Sequence, residues 1–171
     1  MTLEAETILE QIRQSIGIVP NALQAMSEEP SLLKAYTELE ALLTHCSLSN
    51  VEQELVILTI SVANECEYCV AAHSVASKKI SADQIHLLRN HQPLSDSKLQ
   101  VLRETTEGMV HQRGHLSEQE ISKFIEAGYT HSQLLAIVLI IAFKILTNYS
   151  NHINHPDLDN VFMDQKWQVT A

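Results

Sequence analysis

Apolar residues along most of the chain recur at intervals of three and four, the spacing of one face of an α-helix. Alternating apolar and polar runs bounded by turns, which indicate β-strands, are absent from the sequence. The pattern therefore predicts an all-α fold of about eight helices. These helices are expected at residues 5–16, 31–46, 50–63, 65–79, 82–90, 97–112, 118–127 and 131–149.

Helix-start signals support this assignment. In a capping box, a Ser or Thr and a Glu or Gln three residues later satisfy free backbone N–H groups at the start of a helix. The chain contains four such pairs: Ser49 with Glu52, Ser81 with Gln84, Ser117 with Glu120, and Thr130 with Gln133. The segment "GIVPN", residues 17–21, ends the first helix, because glycine and proline both terminate helices. After Tyr149 the periodicity is lost, so the C-terminal tail, residues 150–171, is expected to be frayed or to form an arm on a neighbouring subunit.

A chain of 171 residues is long enough for one domain with a buried core, and we assign residues 1–171 to a single domain. The low content of 4 glycines and 4 prolines argues against linkers. The formal net charge of −10 disfavours nucleic acid and anionic membranes as partners. The N-terminal segment lacks an apolar signal core, and the longest apolar run, Leu134 to Phe143, is too short to span a bilayer. We therefore expect a soluble, cytoplasmic protein.

A faint internal repeat is also present. Shifted by 81 residues, "SNVEQELVILTISVANECEYC" aligns with "THSQLLAIVLIIAFKILTNYS", and both segments begin with a capping signal and continue as an apolar run. Cys66 and Cys69 align with Thr147 and Ser150. This alignment suggests a degenerate duplicated helical hairpin that kept its thiols in one copy.

Two of the three cysteines, Cys66 and Cys69, form a Cys-x-x-Cys pair, and His73 follows four residues later. The third, Cys46, lies apart, so the cysteines do not form a disulfide framework. Asn64 is a suitable N-cap residue, which predicts a helix that starts at Glu65 with Cys66 in its first turn. Residues 66, 69 and 73 then share one helical face, and the helix N-terminus favours thiolate over thiol.

Three interpretations of this cluster compete. The first is structural, because a Cys or His on a helix face is usually part of the core. The second is a zinc site, which needs four ligands, whereas Cys66, Cys69 and His73 supply three from one helix. The third, which we favour, is a redox-active dithiol with His73 as its acid–base partner. His152 and His155 in the tail match no ligand spacing and are expected to be solvated, and we predict no metal site.

At these residues the sequence resembles the AhpD-like alkylhydroperoxidases of the carboxymuconolactone decarboxylase superfamily. The motif of that family is a glutamate, eleven residues, and then Cys-x-x-Cys-x-x-x-His, and here Glu54, Cys66, Cys69 and His73 match it. The segments "GIVPNALQAMSEEPSLLKAY" and "EAGYTHSQLLAIVLIIAFKILTNYSNHINHPDLD" are also similar to the family, so the resemblance covers about residues 17–159.

The resemblance implies an AhpD-like helical fold and a thiol-dependent peroxidase of antioxidant defence that needs no metal or flavin cofactor. Cys69 is then the residue that attacks the peroxide, Cys66 the resolving cysteine, and His73 and Glu54 a proton relay. Helix-terminus electrostatics instead favours Cys66 as the more acidic thiol. We follow the family assignment, because His73 lies one helical turn from Cys69. The family also implies a homo-oligomer, such as a trimer or hexamer, and a dithiol reductant or a peroxiredoxin as partner.

The sequence departs from the best-studied members of the family at two positions. Tyr68 stands where those proteins have a further histidine, so Tyr68 is a candidate site residue, although a phenol is a poor base near neutral pH. Lys79 replaces the glycine that usually follows the motif helix. Two alternative functions stay open: a lyase of the carboxymuconolactone decarboxylase type, and a non-enzymatic helical protein clipped by a metal.

Overall fold

The computed structural model of the protein describes residues 2–76 and 79–169. The regular elements within these ranges are all helical, which confirms the predicted all-α fold. The nine α-helices of the described residues are α1 (Leu3–Ile16), α2 (Asn21–Met26), α3 (Pro30–Leu43), α4 (Asn50–Ala63), α5 (Glu67–Ala76), α6 (Ala82–Arg89), α7 (Ser97–His111), α8 (Glu118–Glu126) and α9 (His131–Asn154). A short 3-10 helix, Asn160–Gln165, follows α9.

Each predicted helix is present, and all four capping boxes form. The short helix α2 was not predicted, because its start carries no local capping signal. Instead, the backbone N–H of Asn21 donates to the carboxylate of Asp159, at 3.3 and 3.2 Å from its two oxygens. A cap supplied from 138 residues away leaves no pattern in the local sequence.

The break between α4 and α5 differs from the prediction. Asn64 is the C-cap of α4, not the N-cap of α5, and Glu65 adopts a left-handed conformation with φ of 55°. The N–H groups of Glu65 and Cys66 donate to the carbonyls of Val62 and Ser61, the bonding pattern of a Schellman motif. Cys66 therefore precedes the first residue of α5, and the predicted start at residue 65 is wrong. The predicted end at residue 79 cannot be compared in full, since residues 77 and 78 lie outside the described part of the chain.

Two long helices, α4 and α9, pack against each other in the centre of the fold, and α4 also contacts α5 and α7. Most of α4 is buried, including Leu55, Val56, Leu58 and Ile60. A smaller apolar cluster joins α1, α2 and α3 through residues such as Leu9, Met26 and Leu33. By length and composition α9 could cross a membrane, a property that it shares with the core helices of soluble proteins.

Helix α9 continues past Tyr149 to Asn154, further than predicted. Its last turns still have a buried face, but that face carries polar residues: Thr147, Asn148, Ser150 and Asn151. Hydrophobic periodicity detects only apolar faces. The sequence pattern therefore ends at Tyr149, although the helix continues to Asn154.

The tail packs on its own chain as far as Val169. The indole N–H of Trp167 donates to the carbonyl of Arg89 at 3.1 Å, and the Arg89 side chain donates to Gln165 at 2.8 Å. The N–H of Val169 donates to Glu67 at 3.3 Å. The prediction of a frayed tail is therefore wrong for residues 150–169, whereas residues 170 and 171 lie outside the described part. These contacts place the tail over the N-terminal end of α5.

Candidate active site

The two cysteines of the motif lie at the N-terminal end of α5, next to the break from α4. Both thiols are free, and the residues are almost fully buried, with 1% of Cys66 and 4% of Cys69 exposed. The carbonyl of Cys66 accepts the first hydrogen bond of α5, from Val70 at 2.9 Å. Cys69 then stands in the first turn of the helix, where free N–H groups and the helix dipole favour negative charge.

Asn151 of α9 contacts both sulfur atoms. Its amide nitrogen Nδ2 lies 3.3 Å from Cys69 Sγ and 3.7 Å from Cys66 Sγ. One turn earlier, Asn148 Oδ1 accepts a hydrogen bond from Asn64 Nδ2 at 2.9 Å. This second contact ties α9 to the break before α5 and so fixes where the dithiol sits against α9.

His73 connects the dithiol region to three charged side chains. Its Nδ1 atom lies 3.8 Å from a carboxylate oxygen of Glu54, and its Nε2 atom lies 3.0 Å from Nζ of Lys144. The other oxygen of Glu54 lies 3.8 Å from Nζ of Lys79. A protonated lysine can only donate, so Nε2 is the acceptor and the ring proton is on Nδ1, facing Glu54. The structure thus brings Glu54 and His73 together, as the sequence motif predicts.

The two thiols differ in their electrostatic environment. The pKa of Cys69 is lowered well below its usual value: a hydrogen bond from Cys66 stabilises the thiolate, and the charge of Lys144, the neighbouring His73 and Thr147 add to this, against the effect of burial. The pKa of Cys66 is raised, because its proton is held by Cys69 and because it is buried. The surroundings therefore favour a thiolate at Cys69 and a thiol at Cys66.

The relay residues are also shifted. Burial lowers the pKa of His73, and the charge of Lys144 lowers it further, so the imidazole is neutral near pH 7. Burial opposes ionisation of Glu54, but the nearby His73 ring, with Nδ1 3.8 Å away, and the charges of Lys79 and Lys144 outweigh it, so the pKa of Glu54 is lowered. The site thus combines an ionised carboxylate, a neutral imidazole and a buried ammonium group.

Tyr68 points its phenol oxygen toward the tail. The hydroxyl donates to the carboxylate of Asp159 and accepts from the N–H of Ala22 at 3.3 Å. Its ring packs edge-on against Phe162, with 6.0 Å between ring centroids. Burial raises the pKa of Tyr68, and the bond to Asp159 raises it further. Through these contacts Tyr68 anchors both the tail and α2 on α5.

A cavity of about 700 Å³ opens beside the dithiol, between the tail, the start of α5 and the end of α9. Cys66, Tyr68 and Asn151 are among the residues that line it. His152 and His155 also border this cavity. These two exposed histidines therefore lie near the site, which their spacing in the sequence did not predict.

Cys46 lies elsewhere, in the loop between α3 and α4, with its sulfur 3.9 Å from the carbonyl of Leu48.

Two site residues were missed by the sequence analysis, Lys144 and Asn151. Lys144 carried a usable signal, because it is the only Lys, Arg, Asp or Glu in α9 and yet follows a long apolar run. The structure buries it, with 2% exposed. Asn151 carried no such signal, because nothing in its spacing relates it to Cys66 and Cys69, which lie more than 80 residues away.

In residues 2–76 and 79–169, no group of three or more His, Cys, Asp or Glu is arranged to hold a metal.

Residues 30–92, which include Glu54 and the whole Cys-x-x-Cys-x-x-x-His segment, match the model of the carboxymuconolactone decarboxylase family. The resemblance to this superfamily is confirmed. No curated protein matches the chain.

Several solved structures have the same AhpD-like fold. An uncharacterised peroxidase-related protein from Silicibacter sp. TM1040 has a TM-score of 0.79 at 23% identity, covering 95% of this chain and 88% of that one. An alkylhydroperoxidase AhpD core protein, also described as peroxidase-related, from Ralstonia eutropha JMP134 has a TM-score of 0.80 at 20% identity, with coverage of 95% and 88%. The debrominase Bmp8, in complex with 2,3,4-tribromopyrrole, has a TM-score of 0.78 at 15% identity, with coverage of 95% and 89%. At these identities the similarity establishes the AhpD-like fold.

Proposed function

We propose that the protein is a thiol-dependent peroxidase that reduces hydroperoxides through Cys66 and Cys69. The observation that carries the proposal is the unequal pair of buried thiols: Cys69 is close to hydrogen-bond donors and to the Lys144 ammonium group, whereas Cys66 holds a proton beside it. A nucleophilic thiolate next to a protonated thiol is the arrangement that a peroxide-reducing dithiol requires. The match to the family and the peroxidase-related descriptions of two proteins with the same fold are consistent with this function.

The reaction begins with attack of the Cys69 thiolate on the terminal oxygen of the hydroperoxide. A sulfur–oxygen bond forms, the oxygen–oxygen bond breaks, and the alkoxide takes up a proton and leaves as the alcohol. Cys69 is then a sulfenic acid, and Cys66 attacks its sulfur. The disulfide forms, and the oxygen leaves as water together with the proton of Cys66.

Lys144 supplies the proton and the positive field in this scheme, and His73 positions it. Lys144 Nζ is hydrogen-bonded to His73 Nε2 at 3.0 Å, and both groups favour the Cys69 thiolate. A proton that passes from Lys144 to the alkoxide is replaced from water, because His73 Nε2 carries no proton. His73 accepts a hydrogen bond from Lys144 at this nitrogen, and its other nitrogen faces the Glu54 carboxylate. Positioned acid–base groups of this kind contribute about 10²–10⁴-fold to a rate.

The disulfide must be reduced by a partner, and we propose a small dithiol or a peroxiredoxin-linked dithiol for this step. Cys66 borders the cavity. Attack on its sulfur by one thiolate of the reductant forms a mixed disulfide with Cys66 and releases the Cys69 thiolate. The second thiol of the reductant then displaces Cys66. Release of Cys69 is favoured because a thiolate of low pKa is the better leaving group.

We further propose that copies of the chain associate through α9. One face of this helix carries a seam at the 3-4 spacing of a heptad: Leu135, Val138, Ala142, Ile145 and Tyr149. Leu135 is 69% and Val138 49% exposed. Identical copies of a chain with net charge −10 repel each other, and α9 offers a long surface whose only formally charged side chain, Lys144, is buried. A second copy of the same seam is therefore the partner that fits it.

The proposed function is tested by the mass of the protein before and after addition of a hydroperoxide. The expected result is the loss of two hydrogens, with a disulfide between Cys66 and Cys69 in the peptide map and Cys46 still free. Tightly bound zinc together with two thiols that do not react with peroxide would contradict the proposal and favour the metal-clipped alternative.

A further inference from the structure

Asn151 presents two different hydrogen-bonding groups at the dithiol. Its amide nitrogen lies 3.3 Å from Cys69 Sγ and 3.7 Å from Cys66 Sγ, and the residue is 5% exposed. An amide nitrogen only donates hydrogen bonds, so the sulfurs are the acceptors. Such a bond stabilises a thiolate more than a thiol, because hydrogen bonds to charged acceptors are stronger.

The other end of the same amide is an acceptor without a partner. Asn151 Oδ1 is buried and makes no hydrogen bond in the part of the chain that the structure describes. A buried carbonyl oxygen that stays unpaired is unfavourable and uncommon in folded proteins. Its natural complement is an O–H group. Because Asn151 also borders the cavity beside Cys66, a small hydroxyl-bearing molecule in that cavity would lie near this oxygen.

We propose that Asn151 is a catalytic residue that binds the Cys69 thiolate through its N–H group and the transferred O–H group through its carbonyl oxygen. The inference rests on the proposed peroxidase function. The terminal O–H of the hydroperoxide, R–O–O–H, is bonded to Asn151 Oδ1 before the attack. When the sulfur–oxygen bond forms and the oxygen–oxygen bond breaks, this oxygen keeps its hydrogen and becomes the O–H of the Cys69 sulfenic acid.

The same amide then serves the second step. Asn151 Oδ1 holds the sulfenic O–H while its Nδ2 atom stays within reach of Cys66 Sγ, the sulfur that attacks next. As the disulfide forms, the sulfur–oxygen bond breaks and the oxygen leaves as water with the proton of Cys66. Asn151 lies seven residues after Lys144, so the two side chains share one face of α9. One helix face thus provides both the ammonium group and the amide.

Two variants and one control separate this role from a packing role. Asn151→Leu removes donor and acceptor at similar volume, and Asn151→Asp keeps an acceptor but replaces the donor with a negative charge. Thr106→Val is the control, because Thr106 is fully buried in α7 and its hydroxyl donates only to its own helix, to Leu102 at 2.8 Å. Circular dichroism and thermal melting report whether each variant folds.

Two measurements are made on each protein. The first is the pH dependence of Cys69 alkylation by iodoacetamide, followed by peptide mass spectrometry, which requires no peroxide. The second is the rate of disulfide formation after one equivalent of cumene hydroperoxide. We expect both Asn151 variants to move the alkylation midpoint to higher pH, Asn151→Asp further, and to slow disulfide formation by about 10²-fold or more. Thr106→Val should match the wild type in both.

If Asn151→Leu does not fold, Asn151→Asp decides the outcome. Asn151 variants that match Thr106→Val in both measurements overturn the proposal. A shifted alkylation midpoint with an unchanged rate of disulfide formation overturns the contact with oxygen and leaves only the contact with sulfur. If the wild-type protein forms no disulfide with the peroxide, the proposed function is wrong. The proposed hydrogen bond between Asn151 Oδ1 and the transferred O–H group is then wrong as well. The alkylation profile still shows in that case whether Asn151 stabilises the Cys69 thiolate.

Discussion

Replacement of Lys144 by methionine tests the buried charge in the candidate site. Lys144 is 2% exposed, donates to His73 at 3.0 Å, and contributes to the lowered pKa of Cys69. Methionine has a similar length and no charge, so it can fill the same space in the core. Because Lys144 stabilises ionised Cys69 and Glu54 in the core, we expect a lower thermal midpoint than that of the wild type. Circular dichroism at the assay temperature confirms that the variant is folded before the chemistry is measured.

The size of the effect follows from the charges near Cys69. An opposite charge a few Å from an ionisable group typically favours its ionised form by about 10- to 10³-fold. Without Lys144, no cation is left among the causes of the low Cys69 pKa near pH 7, because His73 is neutral there, while the Cys66 hydrogen bond is unchanged. Peroxide-driven disulfide formation at neutral pH should then slow by at least about tenfold.

The pH dependence distinguishes a lost charge from a damaged fold. The pKa of Cys69 is lowered in the wild type, so its thiolate is present above that pKa and is lost only as the pH falls through it. In Lys144→Met the same loss begins at higher pH. The variant should therefore recover part of the wild-type rate as the pH rises, once the thiolate forms without help. The remaining deficit is the proton that Lys144 no longer gives to the alkoxide. Loss of Lys144 also removes one cause of the low His73 pKa, so protonated His73 should restore part of the rate at low pH.

The assay is stopped-flow measurement of the reaction with cumene hydroperoxide between pH 5 and pH 9. Lys34→Met serves as the matched control: it removes the same charge from an exposed side chain, 52% accessible, that pairs with Glu4. Equal rates for the two variants at every pH would refute the reasoning. So would a folded Lys144→Met protein whose rate relative to the wild type does not improve as the pH rises, because Lys144 would then not act on the Cys69 thiolate.

Four further variants test the relay residues, the tail contact and the exposed seam of α9. His73→Gln should slow the peroxide reaction by about 10²–10⁴-fold. Glu54→Gln should slow it by less, because Glu54 acts through His73. Equal losses of rate in a stopped-flow assay would contradict this order. Tyr68→Phe should change the rate of the peroxide reaction less than tenfold. It should increase cleavage of the tail in limited proteolysis, because it loses the hydrogen bonds to Asp159 and Ala22. A loss of rate as large as that of His73→Gln would make Tyr68 a catalytic residue. Leu135→Glu, on the exposed seam of α9, should lower the mass measured by light scattering, and an unchanged mass would exclude this seam as the contact between copies.

Much of the fold was accessible from the sequence because it is written in local patterns. The capping boxes at Ser49, Ser81, Ser117 and Thr130 depend on residues three apart, and each one forms. The failures occur where a distant residue replaces the local signal. The cap of α2 is Asp159, and the end of α9 is buried through polar side chains such as Asn148 and Asn151.

The candidate site divides in the same way. Glu54 lies on α4, Cys69 and His73 lie on α5, and Cys66 directly precedes α5. Their fixed spacing lets the motif alone indicate that they act together. Lys144 and Asn151 reach the site from α9, and only the packing of α9 against α4 and α5 brings them there. The start of α5 was misplaced because Asn64 fits an N-cap as well as a C-cap, and the left-handed conformation of Glu65 decides between them.

Sulfenic acid trapping in two cysteine variants tests most directly whether Cys69 attacks the peroxide. Cys66→Ser should form one sulfenic acid at Cys69 after addition of cumene hydroperoxide, trapped by a dimedone-type probe and located by peptide mass spectrometry, and it should not turn over. Cys69→Ser should consume no peroxide and bind no probe at Cys66, whose pKa is raised. The reverse result, with the probe at Cys66 and an inert Cys69, would contradict the assignment of Cys69 as the attacking thiolate.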